Sequence, residues 1–211
     1  MGSDHYFSAQ PAGPEKRRSL QVILAGEQRH LSTTAGIFSP DGVDKGTTIL
    51  LQNAPAPAES GNLLDIGSGW GPVALTLALR SPAARVYAVD VNERCIALTN
   101  ENATSLGLNN VTASLPEEVD PAVTFQTIWS NPPIRVGKDE LHSLLRMWLP
   151  RLAPGGAAYL VVQKNLGADS LQRWLSTDLC AKFPALGLGV SRFSTSKTFR
   201  ILQVVRAETP S

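Results

Sequence analysis

The sequence predicts an α/β fold: a Rossmann-like, doubly wound and mostly parallel sheet with a C-terminal antiparallel hairpin and a small N-terminal extension. Two observations support this prediction. Short apolar stretches typical of buried parallel strands alternate with stretches of helical periodicity along most of the chain. In addition, residues 63–71, Leu-Leu-Asp-Ile-Gly-Ser-Gly-Trp-Gly, place a glycine-rich turn directly between a predicted strand and a predicted helix.

The chain is expected to form one structural domain. Its 211 residues lie within the range of a single domain, and 43% of them are hydrophobic, which is enough to fill a sizeable core. Residues 1–55 are expected to be an extension that packs on the main unit, residues 56–211. An alanine- and proline-rich linker, residues 54–58, leads from one to the other.

The extension is predicted to contain an arm, a hairpin and a helix. Residues 1–19 are polar and are typical of an arm. Residues 20–24 and 28–32 flank a glycine turn and predict a β-hairpin. A helix is expected to begin after Asp44, because an aspartate side chain can cap the N-terminus of a helix.

Strands and helices alternate in the main unit. The predicted strands are residues 63–66, 85–91, 110–114, 124–130 and 156–163, followed by the antiparallel pair 187–192 and 198–205. The predicted helices are residues 73–79, 93–106, 139–149 and 171–179. In open sheets of this kind, ligands bind outside the carboxyl ends of the strands.

Composition limits the classes of function. A net charge of +1 gives no argument for or against a polyanionic partner, so any nucleic-acid contact must depend on local basic groups such as Arg135 and Lys138. Cys95 and Cys180 lack the spacing of a metal site and indicate free thiols in a reducing compartment. The three histidines show no metal or triad arrangement. Neither a secretion signal nor a membrane span is visible, so a cytoplasmic protein is expected.

The glycine turn is the first predicted ligand site. Gly67, Gly69 and Gly71 stand at alternate positions, and such a turn allows a ligand to approach the backbone closely. Asp90 follows about 20 residues later, where an acid can accept hydrogen bonds from ribose hydroxyls. Nicotinamide enzymes and S-adenosylmethionine-dependent methyltransferases share these features. The sequence lacks the G-x-x-G part of the dinucleotide fingerprint, and this absence favours the methyltransferases.

The stretch Ser130-Asn-Pro-Pro-Ile134 follows the fourth predicted strand. Its two prolines stiffen the chain and push Asn131 toward an extended conformation. The amide oxygen of Asn131 and the carbonyl of Pro132 can accept both hydrogens of a planar NH₂ group. This aims the nitrogen lone pair at an electrophilic methyl group, and the hydrogen bonds strengthen as the nitrogen becomes positive. We therefore predict a catalytic turn of Asn131, Pro132, Pro133 and Ile134.

These motifs resemble class I S-adenosylmethionine-dependent methyltransferases that methylate amino groups. Residues 36–51, with His5-Tyr-Phe-Ser8, are similar to the "methyltransferase small domain" family, whose best-known members are ribosomal RNA guanine-N2 methyltransferases. The resemblance runs from His5 to about Val162 and implies that residues 56–211 are the class I methyltransferase domain. It implies an S-adenosylmethionine pocket formed by Phe38, Asp44, Gly46, Thr47, Asp65, Gly67, Ser68, Gly69, Asp90, Val91, Ser114 and Asn131.

Three positions depart from the family pattern. Ile134 stands where relatives usually have an aromatic residue that stacks on the target base. Ser68 replaces a cysteine or another small residue, and Ser114 stands near the place of an acid that often binds the adenine amino group. Larger relatives also carry a degenerate duplicate domain at the N-terminus, for which this chain has no room. RNA is therefore expected to dock on a single domain or on a second copy.

The sequence thus predicts an enzyme that methylates an exocyclic amino group. Guanine N2 of ribosomal RNA, with the small subunit favoured, is the first choice, and the expected partner is this RNA or a ribosomal subunit. A protein glutamine amide and DNA adenine remain as alternative substrates, because any planar NH₂ group fits the same two acceptors. From other classes, a non-catalytic cofactor-binding RNA module and a nicotinamide oxidoreductase are the alternatives. The oligomeric state is not predicted.

Overall fold

The computed structural model describes residues 17–208. Most of the predicted polar arm, including His5-Tyr-Phe-Ser8, lies outside the described residues. From Arg17 onward the chain forms a short hairpin, one helix and then a larger unit of alternating strands and helices. No helix in this part of the chain is long and apolar enough to cross a membrane.

The predicted hairpin is present and is longer than expected. Strand β1 (Arg17–Leu24) pairs antiparallel with β2 (Glu27–Thr34) through the turn Ala25-Gly26. Both turn residues have positive φ, 51° and 86°, which suits the right-handed twist of the two strands. Leu24 and Leu31 are buried in the same hydrophobic cluster as the first central strand of the main sheet.

The remaining elements follow the predicted order. The strands are β3 (Ser60–Ile66), β4 (Ala83–Val89), β5 (Val111–Ser114), β6 (Phe125–Ser130), β7 (Leu152–Gln163), β8 (Leu188–Thr195) and β9 (Phe199–Arg206). The helices are α1 (Lys45–Asn53), α2 (Pro72–Arg80), α3 (Glu93–Ser105), α4 (Lys138–Trp148), α5 (Ala168–Trp174) and α6 (Cys180–Lys182).

Strands β3 to β9 form one sheet in the order β5-β4-β3-β6-β7-β9-β8. The first five strands in this order are parallel, whereas β9 is antiparallel to both β7 and β8. The predicted doubly wound sheet with a closing hairpin is therefore confirmed. The winding reverses between β3 and β6, so the carboxyl ends of these two strands border the crevice in which ligands of such sheets bind.

Both faces of the sheet are covered. Leu63 and Trp129 belong to a cluster with the hairpin, α1, α2 and α3, whereas Leu64 and Ile128 belong to a cluster with α4 and α5. Consecutive strand residues thus point to opposite faces and are all buried, as expected for a parallel sheet between two helical layers. Because the hairpin shares a cluster with β3, we propose that the described parts of residues 1–55 and 56–211 form one structural domain.

Some predicted boundaries were wrong. Strand β4 ends at Val89 and not at Val91, because the Asp90 carboxylate turns to backbone N–H groups of neighbouring loops. The helix predicted over 171–179 begins at Ala168 and passes through a π-helical turn, Leu175–Leu179, into α6. Helical periodicity does not encode such a turn. Cys95 in α3 and Cys180 in α6 are both free thiols.

Candidate active site

The predicted cofactor turn and the predicted catalytic turn lie side by side. Ile66 at the end of β3 is paired with Ser130 at the end of β6, so Gly67 and Asn131 leave the sheet at the same level. The buried Ser130 hydroxyl donates a hydrogen bond of 2.7 Å to the Ile66 carbonyl. This bond fixes the two chain exits relative to each other.

The glycine turn after β3 faces open space. Gly67, Gly69 and Gly71 have φ values of 78°, 57° and 101°, a region that favours glycine. A Cβ atom on Gly67 or Gly69 would meet nothing within 4 Å. On Gly71 it would lie 3.2 Å from the Thr99 side chain, so this third glycine permits close packing against α3.

The backbone N–H groups of this turn bind protein oxygens. Those of Gly67 and Ser68 donate to the Val89 carbonyl at 2.8 and 3.1 Å, and that of Gly69 donates to Asp90 Oδ2 at 2.9 Å. A dinucleotide-binding turn instead presents free N–H groups to a pyrophosphate. The turn therefore fits a ligand that approaches the glycines without a phosphate.

Asp65 braces the turn from inside the protein. Its side chain is only 1% exposed, and Oδ2 accepts a hydrogen bond of 3.0 Å from the Ala74 N–H in the first turn of α2. It thus occupies the helix N-terminus, where an anionic ligand would otherwise bind. Desolvation raises the pKa of Asp65 to about 8, although the Ala74 hydrogen bond opposes this shift.

Asp90 lies at the rim of the open space. Its Oδ2 accepts the Gly69 N–H and its Oδ1 accepts the Asn92 N–H, both at 2.9 Å. Burial raises the pKa of Asp90, and these two hydrogen bonds lower it. The Asp90 side chain is only partly buried, so a carboxylate oxygen can also accept a ligand hydroxyl. Val91, 43% exposed, follows directly, and the Ser114 carbonyl accepts the Asp90 N–H at 3.4 Å.

Trp70 connects the glycine turn to the segment before α1. Its indole is 2% exposed, and Nε1 donates a hydrogen bond of 3.1 Å to the Ser39 carbonyl. The neighbouring Phe38 is 50% exposed. Trp70 therefore has a structural role: it ties the segment that carries Phe38 and Ser39 to the glycine turn.

Asn131 is held by two residues around the start of α1. Its Nδ2 donates to Asp44 Oδ2 at 2.8 Å and to Thr47 Oγ1 at 3.0 Å. A carboxylate only accepts hydrogen bonds, so the amide nitrogen must face Asp44 and the amide oxygen is left as an acceptor. The same Asp44 oxygen accepts the Gly46 N–H at 2.8 Å, which confirms the predicted helix cap.

The prolines form a tight turn after Asn131. Pro133 has φ −74° and ψ 77°, the geometry of an inverse γ-turn. Across this turn the Ile134 N–H donates to the Pro132 carbonyl at 2.8 Å. The carbonyl therefore has one lone pair left for a second hydrogen bond.

Sequence reasoning missed Phe199 at the start of β9. A Cβ atom on Gly46 would lie 3.1 Å from Phe199 Cε1 and 3.2 Å from Asn131 Oδ1. The ring and the amide oxygen are therefore neighbours across Gly46, which leaves room for both. The antiparallel return of β9 beside β7, with Phe199 opposite Gln163, brings this ring to the carboxyl edge. In the sequence, only the predicted C-terminal hairpin indicated that Phe199 would lie near this edge.

Asn102 on α3 was also missed. It is fully buried, and its Nδ2 donates to the Ser32 carbonyl at 3.0 Å and the Trp70 carbonyl at 2.9 Å. Its Oδ1 accepts the Ser32 N–H at 2.7 Å. This one amide ties the N-terminal hairpin to the glycine turn. Within residues 17–208, no group of three or more His, Cys, Asp or Glu side chains is arranged to hold a metal ion.

The sheet order and the glycine turn after its central strand are those of a class I methyltransferase. The family model described as methyltransferase small domain matches residues 28–183, and the chain belongs to this family. It is therefore an S-adenosylmethionine-dependent methyltransferase. The open space over Gly67 and Gly69, bordered by the Asp90 carboxylate, fits this cofactor.

Two curated relatives illustrate the similarity. The chain is 35% identical to the uncharacterized protein YbxB of Bacillus subtilis over 171 residues, which cover 80% of this chain and 85% of the relative. It is 30% identical to the ribosomal RNA small subunit methyltransferase C of Vibrio vulnificus over 122 residues, which cover 58% of this chain. The matched part spans only 35% of that longer relative.

One solved structure has the same fold over nearly the whole chain. The T. thermophilus 16S rRNA N2 methyltransferase RsmC, in complex with AdoMet and guanosine, superimposes with a TM-score of 0.74. The alignment covers 94% of this chain and 53% of that one, with 21% sequence identity.

Proposed function

We propose that this enzyme methylates the N2 amino group of a guanine in small-subunit ribosomal RNA. The observation that carries the proposal is the fixed orientation of Asn131, whose amide nitrogen is bound by Asp44 and Thr47 and whose amide oxygen is an available acceptor. The longer relatives named ribosomal RNA small subunit methyltransferase C, and RsmC with its bound guanosine, support guanine as the target.

The residues proposed to hold the cofactor surround the glycine turn. When bound, S-adenosylmethionine supplies an electrophilic methyl group on a positively charged sulfur. Gly67 and Gly69 allow it to approach the backbone, and Asp90 accepts hydrogen bonds from its ribose hydroxyls. Val91 and Ser114 border the adenine side, and Phe38 covers the pocket from the segment before α1. Asp65 and Ser68, both buried, support the turn from behind.

Asn131 and Pro132 are proposed to hold the substrate amine. Asn131 Oδ1 and the remaining lone pair of the Pro132 carbonyl accept the two hydrogens of the planar NH₂ group. This orients the nitrogen lone pair, and the two bonds strengthen as the nitrogen gains positive charge. The Asp44 carboxylate, bonded to the far side of the amide, polarises it and makes Oδ1 a stronger acceptor. The methylated nitrogen then loses its proton to water.

Two side chains are proposed to contact the guanine ring. Ile134 offers an apolar contact from the catalytic turn, and Phe199 offers an aromatic one beside Asn131 Oδ1. The ring of Phe199 thus compensates for the aromatic residue that the family usually carries at the position of Ile134. Gly46 is essential to this arrangement, since a side chain there would crowd Phe199, Asp44 and Asn131.

Nucleoside mass spectrometry tests the proposal. Small-subunit RNA from cells lacking the gene, as free RNA and as assembled subunits, is incubated with the enzyme and S-adenosylmethionine and then digested. N2-methylguanosine is the expected product. Parallel incubations with glutamine-containing release factors and with DNA cover the other planar amines. Methylglutamine or methyladenine without methylguanosine would contradict the proposed substrate, and no methylated product in any of them would contradict amine methylation altogether.

A further inference from the structure

A small cavity lies next to the catalytic turn. Its volume is about 210 Å³, and it separates the segment that follows β6 from the segment that follows β7. Ile134 and Leu141 line one side, and Leu166 and Leu171 line the other. Because β6 and β7 are adjacent and parallel, the cavity lies at the same carboxyl edge as Asn131.

The walls of the cavity are mostly apolar, and one of them is supported by stacked rings. His142, which also lines it, stacks on Trp174 with ring centres 3.8 Å apart and ring planes at 4°. The Arg146 guanidinium lies 5.0 Å from the centre of the Trp174 ring. The cavity is smaller than the roughly 300–1,000 Å³ of pockets for drug-sized ligands and suits one planar ring system.

Three cations lie in the segments that form the cavity. Lys138 lines it, and Arg135 and Lys164 are exposed in the loops that frame it. Within residues 17–208 these three cations form neither an ion pair nor a side-chain hydrogen bond. The nearby Asp169 is already paired with Arg192 and Arg200. Asp139 and Glu140 lie in the first turn of α4, where they complement the helix dipole.

We propose that this cavity, the flanking-base pocket, binds the base of the nucleotide adjacent to the methylated one in single-stranded RNA. Splayed bases of single-stranded RNA pack on apolar and aromatic side chains, and cations beside them neutralise the phosphates. Ile134 then separates the target base from its neighbour. The inference rests on RNA as the proposed substrate. A peptide would offer no phosphates to Arg135, Lys138 and Lys164.

Two substitutions test the pocket. Leu166→Trp places a large side chain at the rim, where the 39% exposed Leu166 leaves room for it. Lys138→Gln removes one cation. Met147→Trp and Lys182→Gln, both exposed and away from the cavity, are the matched controls. Thermal melts check that each variant folds, and Ser170→Trp replaces Leu166→Trp if the latter does not.

The expected results distinguish the pocket from the proposed function. Leu166→Trp should raise KM for small-subunit RNA about tenfold without changing the Kd for S-adenosylhomocysteine. Lys138→Gln should reduce the slope of log Kd against log salt for RNA by about 0.7. If wild-type enzyme methylates RNA and these variants match their controls, the pocket assignment is wrong and the proposed function stands. If only a glutamine peptide is methylated, both proposals fail, even if Leu166→Trp raises its KM.

Discussion

The amide nitrogen of Asn131 lies 2.8 Å from Asp44 Oδ2, although the two residues are 87 positions apart in the chain. This contact explains why the proposed catalytic turn carries an asparagine and not an aspartate. A carboxylate at position 131 would face the carboxylate of Asp44, and like charges at this distance cannot both ionise. Asp44, the N-cap of α1, therefore requires a neutral amide and not a carboxylate at position 131, after the end of β6.

This relationship predicts a rescue by exchange of the two side chains. Asn131→Asp alone should lower kcat about 100-fold, because the new carboxylate is repelled or protonated. In the double variant Asp44→Asn with Asn131→Asp, position 44 carries no charge, so the new carboxylate is no longer repelled, and asparagine is also a preferred N-cap residue. We expect kcat to recover at least tenfold in single-turnover assays. Asp41→Asn combined with Asn131→Asp is the control and should give no recovery; equal values for the two double variants would refute the pairing.

Replacement of Asp90 should weaken cofactor binding. In Asp90→Ala both proposed ribose acceptors are lost, and the N–H groups of Gly69 and Asn92 lose their partner. Because hydrogen bonds to a charged group are lost, we expect the Kd for S-adenosylhomocysteine, measured by calorimetry, to increase about 10- to 100-fold. Asp90→Asn, which keeps one acceptor oxygen, should have an intermediate effect. The exposed Asp120→Ala serves as control, and a Kd for Asp90→Ala equal to that of this control would remove the ribose assignment.

The buried Asp65 should make stability depend on pH. Its folded pKa of about 8 lies above the ordinary value of 3.8, because desolvation disfavours the charged form. The folded state thus binds the extra proton, so this stabilising contribution is complete below about pH 4 and is lost as the pH rises through 8. Asp65→Asn cannot ionise, so it should flatten the curve of unfolding free energy against pH, measured by urea denaturation. Parallel curves for the two proteins would contradict the raised pKa.

Phe199 should contribute to RNA binding more than to cofactor binding. Phe199→Leu keeps apolar volume but removes the ring beside Asn131 Oδ1. We expect KM for RNA to rise about tenfold, on the scale of a lost base–aromatic contact, with the Kd for S-adenosylhomocysteine unchanged. The matched control is Phe193→Leu on β8. The ring centre of Phe193 lies 5.2 Å from that of Tyr159. The assignment fails if both variants have the same KM.

Much of the architecture could be read from local patterns. The strand before Gly67, the helix cap at Asp44 and the caps and breakers around α3 depend on residues close together in the chain, and all are present. The turn Asn131-Pro-Pro was also recognisable as a short motif, and its catalytic role stays a prediction based on the acceptors that it carries.

Such local patterns could not predict the contacts that hold the side chains of the candidate site in place. The Asn131 amide depends on Asp44 and Thr47, and Asn102 binds Ser32 70 residues away. The winding of the sheet brings these pairs together. Sequence periodicity predicts the class of fold but not which side chains meet in it. Phe199 likewise reaches Gly46 only because β9 returns antiparallel to β7.

The most direct test compares Asn131→Ala with wild type in a single-turnover assay with saturating S-adenosylmethionine and small-subunit RNA, alongside calorimetry with S-adenosylhomocysteine. If the Asn131 oxygen orients and stabilises the reacting amine, the rate constant falls by about 100-fold or more while the Kd changes little. A rate constant close to that of wild type, with normal folding, would show that the amine is held elsewhere.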